Sequence, residues 1–237
     1  MIEITRETDW DTIDDAVDLL SLHDIAEKNG YLRTDLKALL SFTGSADLSS
    51  AVKVLNTKKV LEIGVGSQFE ALISLYKALL VNNIDFPASD IWAIDPKLDT
   101  DMIYPEEKEP VKKFTKRKSN IQNVMGEISG KFDLVLAKGV LSIGAGILSQ
   151  PKTTIDDCLK TIGDSLNPDN KDALAIISSK TGLLLPFNTQ TLNKAGLRPV
   201  FFMVPTRTDL EWEEALKEHG EIDEKPFKLV ICQRLQK

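Results

Sequence analysis

Residues 60–69, VLEIGVGSQF, combine one carboxylate with two closely spaced glycines. An apolar run stops at Glu62, and Gly64 and Gly66 then follow two residues apart. Glycines at a turn from a strand into a helix let backbone N–H groups come close to a ligand. A carboxylate at this turn would repel a phosphate but attract an amine or a sulfonium. The stretch therefore indicates a turn that binds a cationic ligand, and the alternative is a plain tight turn between a strand and a helix.

The residues after Gly66 argue against the common phosphate-binding turns. A dinucleotide fingerprint, G-x-G-x-x-G, would need a third glycine where this chain has Phe69. A P-loop would need Gly-Lys followed by Ser or Thr, and Ser67 and Gln68 do not supply this sequence. A nicotinamide-dependent oxidoreductase is therefore disfavoured, although it stays an alternative.

A second carboxylate, Asp95, follows the apolar run IWAI and precedes Pro96. A carboxylate at the end of a second strand can accept hydrogen bonds from both hydroxyls of a ribose. Because several classes of nucleoside-binding protein share this feature, Asp95 indicates a nucleoside without choosing the cofactor. The alternative is an aspartate that only caps a turn.

The order of the apolar segments predicts how these residues are positioned. Short apolar runs alternate with longer helical patterns from residue 57 onward, which is typical of an α/β fold with a doubly wound, mostly parallel sheet. Ligands of such sheets bind at the carboxyl ends of the strands, so functional residues should directly follow strands. The predicted strands are KKVLEIGV, DIWAIDP, NIQNVM, FDLVLAKG, DALAIISS, RPVFFMV and PFKLVICQR.

Residues 1–56 predict helices instead of strands. A first helix is expected in DWDTIDDAVDLLSLHDIAEKNG, and two further ones over residues 34–42 and 48–55. We expect this N-terminal helical extension to cap the substrate side of a Rossmann-like domain that spans residues 57–237.

Residues 55–237 resemble the class I, Rossmann-like S-adenosylmethionine-dependent methyltransferases. VLEIGVGSQ is similar to the first motif of that family, with Gln68 in place of a frequent third glycine, and IWAIDP is similar to the second-strand motif. VMGEI, FDLVLAKGVLS and CLKTIGDSLNPDNKDALAIISS resemble the segments around strands three to five. TLNKAGLRPVFFMV and FKLVICQR resemble the last helix and a closing hairpin, in which the last strand of a seven-stranded sheet runs antiparallel.

The resemblance implies S-adenosylmethionine as the cofactor and methyl transfer as the activity. Glu62 would lie beside the amino acid end of the cofactor, Asp95 would bind its ribose, and Glu127 would lie at the edge of its adenine. Ile94 would pack near the adenine. The implied cofactor-binding residues are Glu62, Gly64, Gly66, Ser67, Gln68, Asp95, Pro96, Glu127 and Lys138.

Catalysis of methyl transfer depends largely on alignment of the nucleophile and exclusion of water. Lys138, at the predicted end of the fourth strand, is the best-placed group to polarise or deprotonate an acceptor, and the alternative is a surface lysine. Ser142, Lys180 and His23 are weaker candidates. No carboxylates cluster after the fourth and fifth strands, so no metal is expected.

Composition and charge limit the expected partners. A net charge of −7 disfavours a nucleic-acid partner, although residues 108–119, KEPVKKFTKRKS, form either a solvated helix face or a docking patch for an acidic partner. No apolar run is long enough to span a bilayer, and the acidic N-terminus and two distant cysteines favour a reduced, cytoplasmic protein. We expect a small or medium-sized acceptor with an O or N nucleophile, and a non-catalytic cofactor-binding or scaffold protein is the alternative. The sequence leaves a homo-oligomer open.

Overall fold

The structure is a computed structural model that describes residues 32–65, 69–98, 100, 103, 105–141, 155–178, 185, 189–203 and 229–235. Several predicted features lie outside these residues: the first helix with His23, the turn residues Gly66, Ser67 and Gln68, and the candidates Ser142 and Lys180.

Seven strands form one sheet in the order β3-β2-β1-β4-β5-β7-β6. Strands β1 to β5 are parallel, and β7 runs antiparallel to both β5 and β6. This order and the reversed β7 confirm the predicted doubly wound, mostly parallel seven-stranded sheet with an antiparallel last strand. The bounds are β1 Val60–Ile63, β2 Ile91–Ile94, β3 Thr115–Arg117, β4 Leu134–Lys138, β5 Leu174–Ser178, β6 Leu197–Met203 and β7 Leu229–Arg234.

Local residues cap the ends of two of the described helices. The Asp47 side chain accepts the N–H of Ser50 at 2.8 Å at the start of one helix, and Gly44, at φ 62°, ends another in the left-handed conformation. The helices are α1 Thr34–Thr43, α2 Leu48–Val54, α3 Glu70–Val81, α4 Pro105–Lys113, α5 Met125–Ile128, α6 Ile155–Ser165 and α7 Thr189–Lys194. Two short 3-10 turns cover Ala88–Asp90 and Ile121–Val124.

The central strands bury apolar side chains on both faces of the sheet. Alternate residues of β4 illustrate this, because Leu134 and Leu136 contribute to the core under α1–α4, whereas Val135 and Ala137 contribute to the core under α5–α7. A sheet covered on both faces explains why these strands are continuous apolar runs. It leaves the strand ends as the place where polar side chains can meet a ligand.

The predicted third strand, NIQNVM, is wrong. Its residues form the 3-10 turn Ile121–Val124 and the start of α5, and β3 lies earlier, at Thr115–Arg117. Ile121 and Val124 are buried three residues apart, a spacing that suits a helical turn. β3 carries only polar side chains because it is an edge strand of half-buried residues, so no apolar pattern marked it.

Helix α1 packs directly on the sheet, and α2 packs against α1 and α3. Leu36, Leu39 and Leu40 of α1 are buried in the same core as Val60 of β1 and Ile176 of β5. The two helices match the expected positions within one residue at each end. The domain boundary at residues 56/57 and the role of the N-terminal extension as a cap stay predictions.

Asp133, which precedes β4, is a structural residue at the edge of the sheet opposite the expected ligand site. Its carboxylate is buried and accepts the backbone N–H groups of Lys58 and Lys59 at 2.8 and 3.1 Å. It also accepts the side-chain amides of Asn167 and Asn170, both at 2.9 Å. All of these partners are donors, so they tie β1, β4 and the turn before β5 together at one acceptor.

We therefore expect Asp133→Asn to lower the free energy of unfolding by about 2 kcal/mol, because an amide puts a donor against donors in a buried site. Denaturant unfolding of the variant and of the wild type would measure this. Ligand binding at the opposite edge should be unchanged, and equal stability of the two proteins would contradict the prediction.

Candidate functional site

Backbone hydrogen bonds just beyond the last strand residues join the carboxyl ends of β1 and β2, of β2 and β3, and of β4 and β5. The N–H of Gly64 donates to the Ile94 carbonyl at 2.8 Å, and the N–H of Asp95 donates to the Arg117 carbonyl at 3.2 Å. The N–H of Gly139 donates to the Ser178 carbonyl at 2.7 Å. The predicted residues Glu62, Gly64, Asp95 and Lys138 thus lie on neighbouring strand ends, as the topology requires.

Gly64 makes a close approach that only glycine allows. Its φ is +74°, and a Cβ at this position would lie 2.0 Å from Cγ1 of Val140, in the loop after β4. The first turn after β1 therefore presses against the loop after β4. This contact sets how closely the chain after β1 and the loop after β4 approach each other at the carboxyl edge of the sheet.

Phe69, directly before α3, is held in place by its buried ring. It precedes α3, has a φ of +54°, and its ring is fully buried in the core. A bulky residue with positive φ is strained, so the burial of the ring is what holds this conformation. Phe69, the residue that argued against a dinucleotide fingerprint, therefore fixes the start of α3.

Asp95 lies directly after β2 and is half-buried. Its Oδ1 accepts the N–H of Lys97 at 2.7 Å, which forms a tight turn around the exposed Pro96. This turn orients the carboxylate at the sheet edge. A turn-capping role and a ribose-binding role are compatible, because the carboxylate carries several lone pairs.

Glu62 is fully buried and has an unexpected partner. Its Oε1 accepts a hydrogen bond from Nη1 of Arg33, which comes from the segment before α1. Arg33 also binds Asp35, through Nε to Oδ1 at 3.1 Å and through Nη2 to Oδ2. Oε2 of Glu62 has no hydrogen-bond partner among the described residues. We call Arg33, Asp35 and Glu62 the buried ionic cluster.

The buried ionic cluster carries one more carboxylate than cations. Burial would lower the pKa of the Arg33 guanidinium, but the adjacent charges of Glu62 and Asp35 raise it above the usual value, so Arg33 stays charged. Burial raises the pKa of Glu62, Arg33 opposes this rise, and the charges of Asp35 and Glu70 add to it. A cation placed at the free oxygen of Glu62 would complete the cluster.

Glu127 does not directly follow β3, because that strand ends at Arg117. It lies in the short helix α5, its carboxylate is exposed, and it pairs with Arg117 at 2.8 Å. The guanidinium of Arg117 also lies 5.3 Å from the ring centroid of Trp92. Asn120 is closer to the end of β3, and its buried Oδ1 has no partner among the described residues. The adenine-side role of Glu127 stays a prediction.

Lys138 and Ser178 lie side by side at the ends of β4 and β5. The Lys138 side chain is half-buried, whereas Ser178 is 4% exposed and its Oγ has no hydrogen-bond partner among the described residues. Ser178 lies near the end of the predicted strand DALAIISS, and the sequence alone assigned it no role. Its buried free hydroxyl adds a polar group to the site next to Lys138.

The residues that sequence reasoning missed are Arg33, Asp35 and Asn120. Arg33 and Asp35 precede the sheet in the chain, and the only sequence signal for them is their spacing of two residues at the start of a predicted helix. Asn120 was missed because the predicted third strand, NIQNVM, begins with it, so it was not expected to follow a strand.

Within the part of the chain that the structure describes, no three His, Cys, Asp or Glu side chains group closely enough to hold a metal ion, and the expectation of no metal stays a prediction. In the same described part, no helix is long and apolar enough to cross a membrane.

Comparison with known proteins gives matches at the level of structure only. No protein-family model and no curated protein sequence matches the chain. Structures of similar fold include the antibiotic-resistance methyltransferase Kmr, at 11% identity and a TM-score of 0.43, covering 86% of this chain and 94% of that one. The 16S rRNA (adenine(1408)-N(1))-methyltransferase from Catenulisporales acidiphilia has 14% identity and a TM-score of 0.44, covering 76% and 88%. The trans-methyltransferase CalH, in complex with SAH, has 13% identity and a TM-score of 0.41, covering 80% and 54%.

One expectation about partners needs correction. The net charge suggested that nucleic acid is a disfavoured partner, but proteins with similar structures include a methyltransferase of 16S rRNA. Overall charge does not exclude nucleic acid for this fold, because local surfaces decide such contacts. That expectation is therefore withdrawn.

Proposed function

We propose that this protein binds S-adenosylmethionine at the carboxyl edge of its sheet and transfers the methyl group to an O or N nucleophile. One observation carries the proposal. Among the described residues, four buried side-chain atoms lack a hydrogen-bond partner, and three of them lie at or just beyond the carboxyl ends of β1, β3 and β5: Glu62 Oε2, Asn120 Oδ1 and Ser178 Oγ.

Buried polar groups in native proteins are nearly always hydrogen-bonded, so such a concentration indicates a place where a ligand supplies the missing partners. The free carboxylate oxygen of Glu62 suits the ammonium of the cofactor's amino acid end. Asp95 suits the ribose hydroxyls, and the Asn120 carbonyl oxygen suits an exocyclic amino group. These acceptors fit the donor groups of the cofactor, and Gly64, Gly66, Ser67 and Gln68 are proposed to bind it as well.

The chemistry of the site follows from positioning. The cofactor, when bound, supplies a methyl group on a sulfonium sulfur. An acceptor nucleophile can bond to the methyl carbon while the bond from that carbon to sulfur breaks. The chain holds the two reactants in line and excludes water from the sheet edge. Lys138 is proposed to orient or deprotonate the acceptor, and Ser178 to donate a hydrogen bond beside it. Glu127 and Pro96 are proposed to border the adenine.

The acceptor is proposed to be small or medium-sized. Assays should nevertheless include RNA beside amines, phenols and carboxylates, because the charge argument against nucleic acid does not hold. Cofactor binding without methylation of any of these acceptors would favour the non-catalytic binding or scaffold protein instead. Cys158 and Cys232 are both buried thiols, in keeping with the proposed reduced, cytoplasmic setting.

Titration calorimetry with S-adenosylhomocysteine tests the proposal most directly. We expect micromolar binding by the wild type and about tenfold weaker binding by Asp95→Ala, because hydrogen bonds to a carboxylate contribute roughly 1.5 kcal/mol or more. Asp90→Ala is the matched control, since Asp90 lies at the other end of β2 and pairs only loosely with Lys59 at 3.7 Å. Absence of binding by the wild type would disprove the proposal, and equal losses for both variants would remove Asp95 from the site.

A further inference from the structure

The buried ionic cluster links the start of α1 to β1, and the proposed function does not by itself require this link. Arg33 is 6% exposed, and Asp35 and Glu62 are fully buried. Such a cluster is costly to bury, and well-packed apolar residues would often give a more stable protein. Its arrangement therefore points to a purpose besides stability.

The geometry of the cluster leaves one oxygen of Glu62 for a ligand. Asp35 receives Nε and Nη2 of Arg33, so it orients the guanidinium plane and leaves Nη1 for Glu62. Asp35 is itself held at the start of α1, where the N–H of Leu36 donates to its Oδ1 at 3.1 Å. Glu62 then uses Oε1 for Arg33 and keeps Oε2 without a described partner.

We propose that Arg33 and Asp35 are positioning residues: they hold Glu62 with one oxygen directed to the ligand ammonium that the proposed function already assigns to it, and the preference of the site for adenosyl ligands with an amino acid chain depends on them. The inference rests on the proposed function and names the part of the ligand that the cluster recognises. With an ammonium at Oε2, the two carboxylates face two cations, and the buried charge is balanced.

The same cluster predicts that binding is linked to protons. Burial raises the pKa of Glu62, with Arg33 opposing and Asp35 and Glu70 adding to the rise, so the ligand-free protein keeps a proton on Glu62 at a higher pH than an ordinary glutamate does. An ammonium favours the ionised carboxylate. At a pH where Glu62 carries a proton in the ligand-free protein, binding of a ligand with an amino group should therefore release that proton. The affinity for such a ligand should weaken as the pH falls toward the ordinary pKa of a glutamate.

The test compares S-adenosylhomocysteine with methylthioadenosine, which keeps the nucleoside thioether but lacks the amino acid. Calorimetry on the full chain is expected to show at least tenfold tighter binding of S-adenosylhomocysteine by the wild type. Arg33→Met should lose most of this preference, with the affinity for methylthioadenosine unchanged, and Arg33→Lys should restore part of it. Arg234→Met is the matched control, because Arg234 bonds the Leu166 carbonyl at the opposite edge of the sheet.

A second readout uses only the wild type and does not depend on the folding of a variant. Titrations at and below neutral pH, in buffers of different ionisation enthalpy, should show proton release with S-adenosylhomocysteine and none with methylthioadenosine.

Each outcome decides a separate point. Equal affinities of the wild type for the two ligands, an unchanged preference in Arg33→Met, or proton release with neither ligand would overturn the inference while leaving cofactor binding intact. Equal weakening of both ligands in Arg33→Met would show a merely structural role and overturn it as well. Binding of neither ligand by the wild type would overturn the proposed function and this inference together.

Discussion

Glu62→Gln is expected to weaken S-adenosylhomocysteine binding by about 30-fold or more while leaving the fold intact. The amide keeps the shape of the side chain and an oxygen for Arg33, but it removes the charge that attracts an ammonium. Hydrogen bonds between charged groups contribute roughly 2 to 3 kcal/mol, and each 1.4 kcal/mol is about a tenfold change in affinity. Calorimetry measures the loss directly.

The same substitution should not destabilise the protein at neutral pH. Because burial raises the pKa of Glu62 in the folded state, the folded protein binds more protons there than the unfolded chain does. The contribution of Glu62 to stability is therefore fully present below its ordinary pKa and is lost as the pH rises through the raised value. A glutamine side chain does not ionise, so Glu62→Gln avoids this loss. The free energy of unfolding of the variant at neutral pH should therefore equal or exceed that of the wild type.

Glu70→Gln is the matched control for Glu62→Gln. Glu70 is an exposed carboxylate in the first turn of α3, close enough to influence Glu62 but outside the buried ionic cluster. It should leave binding nearly unchanged. A Glu62→Gln protein that binds S-adenosylhomocysteine as tightly as the wild type would show that the carboxylate has no part in the site.

Gly64→Ala is expected to lower the free energy of unfolding by about 3 kcal/mol or more and to abolish measurable ligand binding. A left-handed backbone costs a residue with a Cβ roughly 1–2 kcal/mol, and overpacking adds about 1–3 kcal/mol. Both costs arise here, because φ is +74° and the new Cβ would lie 2.0 Å from Cγ1 of Val140. Relief of the contact would move the turn after β1 or the loop after β4. Denaturant unfolding and calorimetry would measure the two losses.

Two further variants separate the two costs. Gly196 has a similar φ of +78° but nothing within 4 Å of its would-be Cβ, so Gly196→Ala should show the backbone cost alone. Val140→Ala removes the atom that would collide, so the double variant Gly64→Ala with Val140→Ala should be more stable than Gly64→Ala. Equal stability of the single and double variants would rule out the collision as the cause.

The sequence predicted most of the architecture because the strands are apolar on both faces and the helices carry clear end signals. Strands β1, β2, β4 and β5 occur where the apolar runs indicated them, and Gly44 ends α1 as a glycine after a helical pattern should. The exception is β3, whose polar residues are stabilised by backbone pairing with β2. Backbone pairing leaves no side-chain pattern, so a polar edge strand is not visible in the sequence.

The sequence by itself also determined which residues lie at the ends of β1, β2 and β4, because a parallel sheet brings its carboxyl ends to one edge. Glu62, Gly64, Asp95 and Lys138 are there. Only the tertiary structure decided what surrounds them. Arg33 lies 29 residues before Glu62, and the chain folds α1 over the sheet to bring the two together. Contacts at such separations depend on how the layers pack and not on local pattern, so the charge balance at Glu62 could be recognised only in the folded protein.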